Sequence, residues 1–175
     1  MAKILIIDTS IMCVWLKVPG METTGKNNEY TYDIVAQHIE EEMAKGTKLL
    51  LPIATIIETG NHIAHANGNK KQSIKELSSM IISSAKGETP WIAIDMQHSL
   101  WNVDNLSVLV EEWEKTALTE NQSIGDAAIV QIAQQFAPTY EVEIFTGDGG
   151  LKNYEYKIQG QAQKKLRRNR NKSNI

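Results

Sequence analysis

The stretch Lys3-Ile4-Leu5-Ile6-Ile7-Asp8-Thr9-Ser10 decides the fold: one charge, four consecutive aliphatic residues, an acid and two hydroxyls. The run is too short for a buried helix and lacks the alternation of a half-exposed strand, so it reads as a strand covered on both faces. Such a strand belongs at the centre of a parallel sheet. Leu49-Leu50-Leu51, ending at Pro52, and Val142-Glu143-Ile144-Phe145 read as further strands. Trp91-Ile92-Ala93-Ile94 reads as a short strand nearer an edge, because Pro90 precedes it.

Helical spacing fills the intervals. Residues 33–45 place Ile34, Val35, His38, Ile39 and Met43 on one face before Gly46, and residues 54–65 run until Asn67-Gly68-Asn69. Residues 71–86 close at Gly87, residues 97–118 form a helix or helical pair interrupted around 102–105, and residues 123–136 precede Pro138. Residues 17–32 carry Pro19, Gly20 and Gly25 without periodicity and read as a loop after the first acid. A loop of that length in a compact domain points to substrate or partner contact. Alternating strands and helices predict an α/β fold, a three-layer α/β/α sandwich with a mainly parallel central sheet.

With 175 residues, 42% of them hydrophobic, the chain suits one domain, expected over residues 1–160. Residues 161–175 read as a basic, flexible tail. Cys13 stands alone, which excludes an intramolecular disulfide, and no apolar run approaches the roughly 20 residues of a membrane span. A cytoplasmic setting is the default expectation. The net charge of -3 conceals an uneven distribution: Lys164, Lys165, Arg167, Arg168, Arg170 and Lys172 leave 12 basic against 21 acidic residues in 1–163. A basic terminus can hold phosphates by counterion release, so Lys164, Lys165, Arg167, Arg168 and Arg170 are candidate nucleic-acid contacts; a solvated terminus is the other reading.

Four acids fall where elements begin or end: Asp8 after the first strand, Glu58 in Ala54-Thr55-Ile56-Ile57-Glu58, Asp126 in Ser123-Ile124-Gly125-Asp126, and Asp148 in Thr146-Gly147-Asp148. Each could serve as a helix cap, Glu58 and Asp126 by lying three residues after Thr55 and Ser123. Parallel strands, however, bring their carboxyl ends to one edge, where Asp8 and Asp148 can meet. Carboxylates gathered there suit a hard divalent ion, Mg²⁺ or Mn²⁺. Without a cation they repel, which should raise the pKa of at least one.

In this order the pieces resemble the PIN-domain nucleases, over most of residues 1–155. The resemblance implies a metal-dependent endoribonuclease with Asp8, Glu58, Asp126 and Asp148 as catalytic metal ligands. Thr9, Ser10 and Thr146 would orient those carboxylates by hydrogen bonds. It also implies RNA as substrate, and either a toxin-type nuclease held by an antitoxin or other inhibitory protein, or a defence or RNA-processing enzyme; a homodimer is a further expected assembly. Many members carry another acid two residues after the last Asp, where this chain has Gly150, so one metal ion fits better than two. The competing reading is a PIN-like RNA- or protein-binding module without catalysis.

Other chemistries find less support. Gly147-Asp148-Gly149-Gly150 has neither dinucleotide nor P-loop spacing. His62 and His65 lack further zinc ligands, Cys13 lacks a triad partner, and a haloacid-dehalogenase-like phosphatase needs an Asp where Ser10 stands. Of the tryptophans, Trp15 beside the 17–32 loop is the candidate for stacking on a base.

Overall fold

The computed structural model describes residues 1–155. The expected boundary at 160 and the candidate contacts Lys164, Lys165, Arg167, Arg168 and Arg170 lie outside them. In chain order the elements are β1 (Lys3–Ile7), α1 (Thr9–Trp15), the two-residue strands β2 (Thr23–Thr24) and β3 (Tyr30–Thr31), α2 (Tyr32–Ala44), β4 (Lys48–Leu50), α3 (Ile53–His65), α4 (Lys71–Lys86), α5 (Val103–Glu120), α6 (Ile124–Phe136) and β5 (Glu141–Phe145). Turns of 3₁₀ helix span Lys26–Asn28 and Ile94–Trp101, and residues 149–155 are helical.

The three longer strands form a parallel sheet in the order β4-β1-β5, with Leu5 opposite both Leu49 and Glu143. Side chains on β1 alternate between two cores. Leu5 and Ile7 face α1 to α4 and pack with Ile11, Val35, Ile39, Ile63 and Leu77. Ile4 and Ile6 face the other way, toward Ile129, Ile132, Ala133 and Phe136 of α6. All four aliphatic side chains of β1 are fully buried, which is why the run shows no polar alternation. The architecture is therefore α/β, a parallel sheet between helical layers. Among the described residues no helix is long and apolar enough to cross a membrane.

Two expectations change. Residues 91–94 are not a strand: only Trp91 bridges β4, at Leu49, and Ile94 already opens a 3₁₀ turn. The side chain of Gln97 takes the backbone groups an added strand would need, donating to Leu51 O at 2.9 Å and accepting from Ile53 N at 3.3 Å. Residues 17–32 are not an unstructured loop but contain the antiparallel β2-β3 hairpin, with Thr23 opposite Thr31 and Thr24 opposite Tyr30. Strands of two residues are too short to show periodicity.

Candidate active site

Asp8 leaves the carboxyl end of β1 as the N-cap of α1, and only 5% of its surface is exposed. Its Oδ2 accepts from Ser10 Oγ at 2.7 Å, from Thr146 Oγ1 at 2.9 Å and from Ser10 N at 3.3 Å. Thr146, just past β5, also accepts from Asp148 N at 2.9 Å, while Ser10 Oγ accepts from Gly147 N at 3.0 Å. The ends of β1 and β5 are thus stitched together by two hydroxyls. Asp148 heads the helical residues 149–155, its Oδ1 accepting from Gly150 N at 2.6 Å and Leu151 N at 3.2 Å.

Glu58 reaches the same edge from α3. Its Oε2 accepts from Thr9 Oγ1 at 2.8 Å. The helix begins at Ile53, so Glu58 stands in its second turn and not at its start. The pairing with Thr55 expected of a capping box does not form, because Thr55 donates to Ile7 O at 3.0 Å. Asp126, by contrast, does complete a capping box with Ser123. Glu58 lies against α6 at Gly125, the residue before Asp126: a Cβ there would overlap Oε1 of Glu58 and lie 3.0 Å from its Cδ. Gly125 is a seat for the carboxylate, a role that no local motif announces.

These hydrogen bonds leave ligand capacity. Bonds to Asp8 Oδ2, Glu58 Oε2, Asp126 Oδ2 and Asp148 Oδ1 use one oxygen of each acid. The second oxygen of each accepts no hydrogen bond among the described residues. No described Lys, Arg or His forms an ion pair with any of the four. The pKa of Asp126 is raised by its burial and by the charges of Asp8 and Asp148, against the Ser123 hydrogen bond that lowers it. Burial is the main cause, and the repulsion expected among the acids contributes less. Burial, together with the charges of Asp8 and Glu58, also pushes the Cys13 thiol up to about 12, so Cys13 is an inert core residue.

These donors fit a hard divalent cation in chemistry and charge. They do not converge on one point: among the described residues, the three-member His/Cys/Asp/Glu group with ligand atoms within 4.8 Å of one another is His38, Glu42 and Glu143. Mg²⁺ keeps several waters and takes one or two carboxylates directly, so the other acids of this set would reach it through water. The tighter trio is already neutralised. Lys3 Nζ sits 2.8 Å from Glu42 Oε2 and 2.6 Å from Glu143 Oε2, and Lys45 adds a 2.8 Å contact to Glu42. Burial pushes both carboxyls up, yet donors including Lys3 outweigh it and hold each at about 2. This network locks α2 to the sheet and is structural.

Comparison of the chain with protein-family models, with curated proteins and with solved structures finds no match. Trp15 is half-buried, its ring 6.3 Å from that of Trp91 and packed against the core. The β2-β3 hairpin, which carries no periodic signal in the sequence, meets the site: a Cβ on Gly147 would overlap Thr24 Oγ1 and lie 2.7 Å from Gly25 N. The β2-β3 hairpin therefore walls the turn that carries Asp148.

Proposed function

We propose that the chain is a divalent-metal-dependent endoribonuclease of PIN-domain type, with Asp8, Glu58, Asp126 and Asp148 holding Mg²⁺ or Mn²⁺. The observation that carries this reading is that each acid has one oxygen fixed by the protein and one left without a donor. Capping accounts for the engaged oxygens of Asp8, Asp126 and Asp148; it gives no reason for acids from four separate segments to lie around the carboxyl edge of one sheet, each with an oxygen to spare. A bound divalent ion supplies an activated water and stabilises charge on the phosphoryl and leaving oxygens. The protein's part is to position. Ser10 and Thr146 hold the Asp8 carboxylate, Thr9 holds that of Glu58, and the backbone N–H of Ser123 holds that of Asp126. The choice of RNA follows the family resemblance, as does an inhibitory protein or a second copy of the chain as partner.

Incubation of total RNA with the purified chain, with and without Mg²⁺ or Mn²⁺, tests the reading. Metal-dependent cleavage that is lost in folded Asp126→Asn supports it. RNA binding without cleavage under any metal would instead favour a non-catalytic module, and full cleavage by Asp126→Asn would remove these acids from the chemistry.

A further inference from the structure

We infer that the β2-β3 hairpin is the substrate-binding wall of this site and that Lys26 at its tip holds a phosphate beside the one being cleaved. The inference rests on the nuclease reading. Its own evidence is the fixed placement of the hairpin. Thr24 and Gly25 lie so close to Gly147 that no side chain fits between them, and Gly147 is one residue from Asp148. Tyr30 anchors the other strand by setting its ring edge-on to Phe145, the last residue of β5, at 5.6 Å and 81°. Both strands of the hairpin are thereby clamped to the carboxyl edge of the sheet.

The charges of the segment are distributed accordingly. Lys17 at its base stacks 3.6 Å from the ring centre of Tyr32 and is engaged. Lys26 follows Gly25 directly, is exposed, and forms no ion pair among the described residues. Residues 1–163 carry 12 basic and 21 acidic side chains, so a polyanion approaching the acid edge meets repulsion that cations beside it offset. Lys26 follows the Gly25 that lies against Gly147 and is such a cation. A contact to a neighbouring phosphate places the strand without entering the reaction, and it is felt equally in the ground and transition states.

The test is steady-state cleavage of a fluorescent single-stranded RNA by wild type, Lys26→Ala, Lys26→Arg and, as a distant exposed control, Lys75→Ala, over a series of salt concentrations. Lys26→Ala should raise KM severalfold and leave kcat within about twofold, the signature of lost uniform binding. It should also flatten the slope of log(kcat/KM) against log[salt] by roughly 0.7, the value for one single-strand phosphate contact. Lys26→Arg should restore both, and Lys75→Ala should alter neither. Unchanged KM and slope in Lys26→Ala, or an equal effect of Lys75→Ala, overturns the inference while leaving the nuclease reading intact. A wild-type protein that cleaves no RNA in Mg²⁺ or Mn²⁺ overturns both.

Discussion

Thr146 Oγ1 donates to Asp8 Oδ2 at 2.9 Å, joining the ends of two neighbouring parallel strands across 138 positions of sequence. The same hydroxyl accepts from Asp148 N at 2.9 Å. One side chain therefore sets the position of two candidate ligands, and the carboxylate it holds is buried. Hydrogen bonds to a buried charged group are stronger than neutral ones and more costly to lose.

Removing that hydroxyl should be felt in stability first. Thr146→Ala is expected to lower stability by about 1.5–3 kcal/mol, the range for a bond to a charged group. Thr146→Ser should recover most of it. Urea midpoints of the three proteins decide, and an alanine variant as stable as wild type would show that Ser10 alone suffices to hold Asp8.

Divalent ions should stabilise the fold through the four acids. With Mg²⁺ at about 100 times its Kd, mass action adds about 2.7 kcal/mol, or roughly 5–10 °C of thermal midpoint for a chain of this size. Asp126→Asn keeps a side-chain oxygen for Ser123 N and removes the charge that Asp8 and Asp148 oppose, so its metal-free midpoint should be level or higher. Its response to Mg²⁺ should shrink, as should that of Asp148→Asn. Equal shifts in all three proteins would place the ion elsewhere.

The sheet was legible because β1 is buried on both faces, which leaves a direct trace in Ile4 to Ile7. The edge position of Asp8 and Asp148 followed from parallel topology. What escaped were effects of close approach. Gly125 and Gly147 matter for what touches them, Glu58 and the hairpin, and such contacts leave no periodic signal. Trp91 misled for a related reason: its apolar neighbours suggested a strand, while a side-chain amide at Gln97 had taken the available backbone partners of Leu51 and Ile53.

The Lys3 network predicts an acid limb of instability. Glu42 is held at about 2 in the folded protein against an ordinary 4.5, because hydrogen bonds from Lys3, Lys45 and Thr47 outweigh its burial. A depressed folded pKa means that the stabilisation is complete above 4.5 and is lost as pH falls toward 2. Glu42→Gln should therefore lose on the order of 2 kcal/mol at neutral pH and differ little from wild type near the acid end. Urea denaturation across that interval measures the difference, and parallel curves for the two proteins would deny Glu42 this role.

Gly125→Ala separates the site from the fold. Gly125 lies in the first turn of α6, where alanine favours the helix by roughly 0.5–1 kcal/mol over glycine. The added methyl, however, would occupy the place of Glu58 Oε1, and the flexible glutamate would swing away from the edge it shares with Asp126. Loss of the Thr9 bond to Glu58 Oε2 would accompany that movement and offset part of the helical gain. The expected result is a metal-free thermal midpoint near that of wild type together with a weaker Mg²⁺ response and a large fall in RNA cleavage. Glu58→Gln should reproduce the functional losses, and combining it with Gly125→Ala should add little, because both act on one carboxylate. A Gly125→Ala protein with full metal response and full cleavage would show that the seat beneath Glu58 has no part in the site.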